Sequence, residues 1–547
     1  MTKSNKLFLI IIFFISFFLR FYKVGKYPTL LWDEAAIGYN AYSLIETGKD
    51  EYGKTLPIIF KSFGDYKPGF YIYLAAPFIK IFGLNATATR LPSVLLGSLL
   101  PILIYFLIKE INPKAHKTAI IAAIITVFNP YSIHFSRGAW ESNVLTFELV
   151  LAAFLFFKYI NKKSNKYLLF SAITFGLTLF TYQAGKMISL FLIVILFLTN
   201  LSIVNLKNIK NLFLNFVFPL FLFSLPILYG LFFSSNANRL KVVSLFSYPR
   251  PTQESIIIKN ESNQLDYDLF HNQFVFFGRN FLLRYFNHFS PRFLAFEGDW
   301  QSPRHSAPYV GVILYPSLIF LIIGIFFALS RQKIDKLGIF FFLWLIVAPL
   351  PSALTRDIVQ SLRSMSFSIP LIYFISVGIY VVVNKYKNIF VYSLIIGAYL
   401  VSFFYYSDLY LNHMIKKNPD EFLYGYQQSM DYIVKNQSKY KNITISDYYG
   451  QAYIFYLFYS KYPPQLYQQQ AKLVENSSGD TGKVEQIDNI KFTTPDYNVI
   501  KSQPSSLAIF NYNEIYRQSI DKSDYFKDFL PLSPINNIST FYAYQNQ

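Results

Sequence analysis

The sequence predicts a mainly α-helical protein that crosses a membrane many times and ends in a small soluble α/β domain. Three observations predict it. Of 547 residues, 53% are hydrophobic, 20% aromatic and only 15% charged, against about 25% charged in soluble domains. The mean hydropathy is +0.30. The apolar residues come in blocks rather than at helical or strand period, and blocks of this length read as membrane spans. After Tyr406 the composition turns polar. The absence of cysteine excludes a disulfide framework, thiol chemistry and a Cys-ligated metal. The net charge of +19 is spread without a continuous basic stripe on any helix or loop, so no nucleic-acid partner is expected.

The first span opens with Lys3 and Lys6 ahead of Leu7 to Tyr22. Arg20 and bulky aromatics follow it instead of a small-residue cleavage site, so it reads as an anchor rather than a signal peptide. By the length rule, about eleven spans are expected, near 7–22, 90–108, 117–135, 143–160, 166–182, 186–204, 211–233, 308–330, 337–354, 366–383 and 388–407. Every second connection is basic: Lys109, Lys114 and Lys117; Lys158, Lys162, Lys163 and Lys166; Lys207 and Lys210; Arg331, Lys333 and Lys336; Lys385 and Lys387. With Lys3 and Lys6 they fall on one side, which the Lys/Arg bias of short loops makes cytoplasmic. The expectation is a multi-pass protein of the plasma (inner) membrane with a cytoplasmic N-terminus. Residues 23–89, 234–307 and the tail 408–547 are then extracytoplasmic.

Each long outer stretch has a legible element. Trp32-Asp33-Glu34 directly follows the first span and opens a helix over Asp33 to Leu44. Tyr66-Lys67-Pro68-Gly69 precedes another, since Pro suits a first helical turn. Leu269 to Phe289 reads as an aromatic amphipathic helix on the membrane surface. The tail offers an amphipathic helix near 420–436 and β-rich runs at 442–446, 506–511 and 540–544, a small mixed domain of ordinary size.

The outer connections also hold isolated ionisable residues beside aromatics. They are Arg137 and Glu141 around Trp140, Lys186 near Tyr182, Arg304 and His305 after Trp300, and Arg356 and Arg363 beyond Pro351. Taken singly, such cations most often snorkel or meet lipid head groups. Together with Lys67 they are expected to face the carboxylates Asp33 and Glu34 across one extracytoplasmic cavity, with Tyr39 as a further wall. This arrangement suits transfer of a sugar from a polyprenyl-phosphate carrier. The leaving phosphate is already a stable anion, so it needs Arg and Lys donors rather than a general acid. The acceptor needs one base, and a carboxylate on the opposite face of the sugar gives inversion.

Trp32-Asp33-Glu34, Lys67-Pro68, Arg90-Leu91-Pro92-Ser93-Val94-Leu95-Leu96-Gly97 and Ser136-Arg137 resemble the multi-spanning GT-C glycosyltransferases. Within them the likeness is to protein O-mannosyltransferases and aminoarabinose (lipid A) transferases. It covers roughly residues 1–400, the first 190 most specifically, and makes 1–407 the transferase module. The resemblance implies an inverting transferase with Asp33 as base or acceptor-orienting group, and Lys67 and Arg137 in the active-site cavity. Residues 298–305 and 354–363 resemble segments of bacterial members. Lys67-Pro68-Gly69 stands where better-known members have a double proline, and the tail is unlike the protein-mannosyltransferase lumenal domain. The acceptor therefore stays open among lipid, glycan and protein. No Trp-Trp-Asp-like motif of oligosaccharyltransferases occurs.

No cofactor is required by this chemistry. A divalent metal on His134 and His305 with Asp33 or Glu34 rests only on two unlinked histidines. Glu148 lies inside the fourth span, where an ionised side chain costs roughly 2.5–3.5 kcal/mol, so it is expected to be neutral or hydrogen-bonded. The alternative classes are a transporter or lipid flippase, and a sensor working through its tail. A transporter places its ionisable groups near the midplane, often in inverted repeats, whereas here they gather at the outer rim.

Overall fold

The computed structural model describes residues 3–203, 208–233, 242–330, 335–474, 482–520, 529–536 and 538–546. Lys207, Arg331, Lys333 and the start of the second outer stretch, 234–241, lie outside the described residues. The chain forms two compact units. One holds residues 1–20, 95–136 and 141–410; the other holds 21–94, 137–140 and 411–547. The first outer stretch and the tail thus share a unit, whereas the sequence reading divided the chain once, at 407.

The larger unit is helical. Seven helices among the described residues are long and apolar enough to cross a membrane. An eighth span is counted if His116–Phe128 and Pro130–Ser136, bent by 54° at Asn129, are taken as one. Pro130 is the physical reason for the bend, since a proline disfavours helical geometry in the residue before it. All eleven expected spans are helical. Three fall short in length: Asn165–Thr181, Gly185–Leu198 and Tyr315–Leu329, with 17, 14 and 15 residues. The last of these is overstated because its expected stretch, 308–330, includes the apolar residues 308–314, which form turns and extended chain before the helix begins.

Two of these helices meet almost backbone to backbone. A Cβ at Gly324 would stand 1.8 Å from the Phe374 carbonyl oxygen, and one at Gly378 1.9 Å from that of Phe320. Such small-residue contacts are how helices associate where lipid removes the hydrophobic drive. Glu148 is buried in the same unit and its Oε2 accepts a hydrogen bond from Thr181 Oγ1 at 2.8 Å, as its position inside a span requires. The amphipathic run forms the helix Gln273–Asn287, with Phe274, Leu282, Leu283 and Phe286 exposed.

The smaller unit joins three sequence segments. Its helix Trp32–Thr47 is followed by a hairpin, Ile59–Ser62 with Asp65–Pro68, paired so that Phe60 faces Lys67 and Ser62 faces Asp65. The two-residue turn Phe63–Gly64 has positive φ at both positions, 56° and 85°, the twist that suits a tight hairpin. The tail contributes a six-stranded sheet in the order 486–487, 490–492, 442–445, 506–511, 541–546, 529–531. Strand 442–445 runs parallel to both its neighbours, and the outer pairings are antiparallel. Its amphipathic helix is Tyr426–Asn436.

The tail packs on the first outer stretch through helix Ala452–Tyr459 and the segment after it. Tyr39 Oη donates to the Tyr462 carbonyl at 3.1 Å. Gln468 Nε2 donates to Ser43 Oγ at 3.1 Å and to the Asp50 carbonyl at 2.9 Å. Tyr52 and Tyr453 share a hydroxyl contact of 3.4 Å.

Candidate active site

The two adjacent carboxylates have opposite surroundings, because successive helical positions point about 100° apart. Both lie in the first turn of Trp32–Thr47, where the positive end of the helix dipole favours an anion. Glu34 turns inward. Its Oε1 accepts from Arg90 Nε at 2.7 Å and from the Ala139 N–H at 2.7 Å. Its Oε2 accepts from Arg90 Nη2 at 2.6 Å and from the Leu31 N–H at 3.0 Å. Arg90 also donates to the carbonyls of Val24, Pro28 and Thr29 at 2.6, 2.9 and 3.1 Å. The side chains of the pair are 0% and 3% exposed. Glu34 therefore ties the helix start, residue 139 and the chain leaving the first span into one joint. A carboxylate filled with four donors is built to hold structure.

Asp33 turns outward, with 38% of its side chain exposed. It is paired with Lys67, and Trp32 Nε1 donates to its Oδ2 at 3.2 Å. Lys67 comes from the second strand of the hairpin, and its ammonium lies 5.0 Å from the centre of the Phe63 ring. A half-exposed acid held against one lysine, among aromatic rings, is a carboxylate available to a ligand. Arg137 belongs to the same unit; it is buried and donates to the Tyr27 carbonyl at 3.1 Å.

Tyr39 is a correction. Six residues beyond Asp33 places it about 240° around the helix, and it is fully buried against Tyr462 and Tyr467. It belongs to the core, not to a cavity wall.

Behind the helix, Glu51 is fully buried. Asn40 Nδ2 donates to its Oε1 at 3.0 Å and Asn40 Oδ1 accepts from its N–H at 3.0 Å. Burial pushes its carboxyl up to about 8, against the opposing hydrogen bond from Asn40. Nothing in the sequence distinguished it from an ordinary surface acid.

The remaining candidates lie in the larger unit. His305 is buried with Nδ1 donating to Asp299 Oδ2 at 3.1 Å. Asp299 also accepts from the Ser302 N–H at 2.9 Å, the Ser361 N–H at 2.8 Å and Ser361 Oγ at 3.1 Å. Burial opposes ionisation of Asp299, but the hydrogen bond and charge of His305 and these N–H donors hold it below the usual carboxylate value. Arg304 is half-buried in the turn Pro303–His305. Arg356 is exposed and donates to Tyr248 Oη at 3.2 Å. Arg363 is committed to Asp357, with Thr355 Oγ1 at 3.0 Å. Lys186 is exposed and donates to Gln183 Oε1 at 2.7 Å. Glu141 opens helix Glu141–Lys162 and Tyr182 closes Asn165–Thr181, both half-buried. Among the described residues no three His, Asp or Glu side chains are grouped to hold a metal.

Comparison with known proteins follows the same lines. Residues 10–240 match the sequence model of the family described as dolichyl-phosphate-mannose-protein mannosyltransferase. No curated protein matches the chain in sequence. The fold is similar to that of ArnT from Cupriavidus metallidurans in the apo state, with TM-score 0.54 and 11% identity over 99% of this chain and 98% of that one. The same protein bound to undecaprenyl phosphate gives TM-score 0.51, again at 11% identity, over 99% and 98% of the two chains. An oligosaccharyltransferase of Archaeoglobus fulgidus is also similar, with TM-score 0.48 and 13% identity over 84% of this chain and 63% of that one. The chain therefore has a helical membrane fold similar to that of these membrane transferases, and its residues 10–240, which include Asp33 and Lys67, are similar in sequence to the mannosyltransferase family.

Proposed function

We propose that the protein transfers a sugar, with inversion, from a polyprenyl-phosphate-linked donor to an extracytoplasmic acceptor (a lipid, glycan or protein), with Asp33 as the base. The observation that carries this reading is the half-exposed Asp33–Lys67 pair at a helix N-terminus. It supports a sequence of events. The donor phosphate competes with Asp33 for the Lys67 ammonium, and its arrival leaves the Asp33 carboxylate free to take a proton. Asp33 accepts the proton of the acceptor hydroxyl or amine. The acceptor atom bonds to the anomeric carbon as the carbon–oxygen bond to phosphate breaks, and polyprenyl phosphate leaves as an anion held by Lys67. Arg137, already fixed on the Tyr27 carbonyl, is preorganised to share that charge. The step runs on side chains alone and needs no cofactor. Glu34 holds Asp33 in place through Arg90.

The Lys/Arg excess supports a cytoplasmic N-terminus and an outward-facing Asp33. The likeness to an ArnT structure bound to undecaprenyl phosphate makes the lipid phosphate the natural donor class to assay. The test uses purified protein, a labelled polyprenyl-phosphate sugar and a membrane extract as acceptor source. Asp33→Asn should lose about 10²–10⁴ in rate with donor binding kept. Full turnover by Asp33→Asn would remove Asp33 from the mechanism.

A further inference from the structure

In the larger unit, lined by none of the candidate site residues named above, a cavity of about 430 Å³ opens between three helices. Its walls come from the first two turns of His116–Phe128, the last turns of Ser368–Tyr386 and the first turn of Ile389–Asp408. One part is polar and basic: Lys117, Lys387 and Asn384, with Tyr380 and Tyr392 beside them. The other is aliphatic, from Ile120, Ile121 and Val383. The volume is in the range of small-molecule sites.

We propose that this cavity binds one anionic phospholipid, its phosphate on Lys117 and Lys387 and the start of an acyl chain along the aliphatic wall. The charge balance favours an anion strongly. None of the three helices carries a carboxylate near the cavity. Asp408, the one acid among them, lies sixteen residues beyond Tyr392, about 24 Å along the helix. The helix of Lys117 has no acid in its first turn, so its unsatisfied N–H groups and dipole add to the positive field. Helix Ser368–Tyr386 turns its C-terminal carbonyls toward this end, and of these Val383 already accepts from the Lys387 N–H at 3.2 Å and from Tyr392 Oη at 3.3 Å, while Lys387 and Lys117 outweigh the partial negative charge of the helix end. Lys387 takes a left-handed conformation, φ 42°, which turns the chain sharply enough for the next helix to begin at Ile389. Both lysines sit in connections that carry the Lys/Arg excess, the side where anionic lipid head groups attract cations. Two charges, one amide and an aliphatic wall in a single cavity match a phosphodiester with a chain, not a free anion.

The experiment uses the full chain in detergent, with short-chain phosphatidylglycerol, phosphatidylcholine and inorganic phosphate as probes. Binding is read by native mass spectrometry and by the shift in unfolding temperature. Phosphatidylglycerol should bind and stabilise, and the double variant K117Q/K387Q should weaken it tenfold or more. The control variant K114Q/K385Q removes the same charge outside the cavity and should bind like the parent. Equal binding of phosphatidylcholine would overturn the proposal, as would equal stabilisation by inorganic phosphate. Equal weakening in the control would reduce the effect to general surface charge and overturn it too.

Discussion

Exchanging one oxygen of Glu34 for an NH2 group, in Glu34→Gln, tests whether this residue does chemistry or holds structure. Each carboxylate oxygen receives two N–H donors. Whichever way the amide turns, its nitrogen faces two donors and neither can be accepted. Arg90 is left as a buried cation with half its counter-charge contacts gone. Removing one partner of a buried pair typically costs about 3–5 kcal/mol, and that loss should appear in denaturant or thermal unfolding of the detergent-purified protein. Arg90→Met should cost a similar amount. The double variant should be less damaged than the two single losses summed, because each strands the same pair. Asp33→Asn gives the internal contrast. Its pair is half-exposed, and exposed pairs contribute about 0–1 kcal/mol, so its stability should barely move while its turnover falls. Normal unfolding of Glu34→Gln together with lost turnover would refute the division of roles.

Three further outcomes follow from the same geometry. Because the Glu51 carboxyl is raised in the folded state to about 8 from an ordinary 4.5, its contribution is full below pH 4.5 and is lost as pH climbs to about 8; Glu51→Gln should flatten that decline in a series of melts, and an unchanged slope would count against the assignment. Gly324→Val needs space that the Phe374 carbonyl fills, so expression of folded protein should collapse, and normal yield would show that these helices separate freely. In a chain ending at residue 410, the first outer stretch loses its packing partners Tyr453, Tyr462 and Gln468, so limited proteolysis should cut within 23–89; continued protection there would make the tail an independent appendage.

Much of the fold was legible because lipid imposes a coarse rule: a span must be apolar for its whole length. Among the described residues, the blocks coincide with the seven or eight helices long and apolar enough to cross a membrane, and the β-rich runs of the tail fall on strands 442–445, 506–511 and 541–546. The inner boundaries of short spans such as Tyr315–Leu329 were not legible, since an apolar turn looks like an apolar helix. At the site, Asp33 and Lys67 stood out by composition, but the fate of Glu34 did not, because its partner Arg90 reads as one more cation at a membrane edge. The available signal was an arginine at the head of an apolar run, Arg90-Leu91-Pro92, with an acid pair upstream. Tyr39 was misplaced because a list of aromatic neighbours carries no angle, while a helical wheel from Asp33 does. The contacts of Tyr39, Ser43 and Asp50 with residues 462 and 468 are encoded in no local pattern at all.

Those contacts also put a clock on the protein's synthesis. The first outer stretch emerges early, yet residues that complete its core lie about 400 positions later, and at about 5–20 residues per second the ribosome needs roughly twenty to eighty seconds to deliver them. During that interval the helix of Asp33 stands without Tyr453, Tyr462 and Gln468 against its flank. The surface that offers Asp33 is therefore finished only when almost the whole chain has been made.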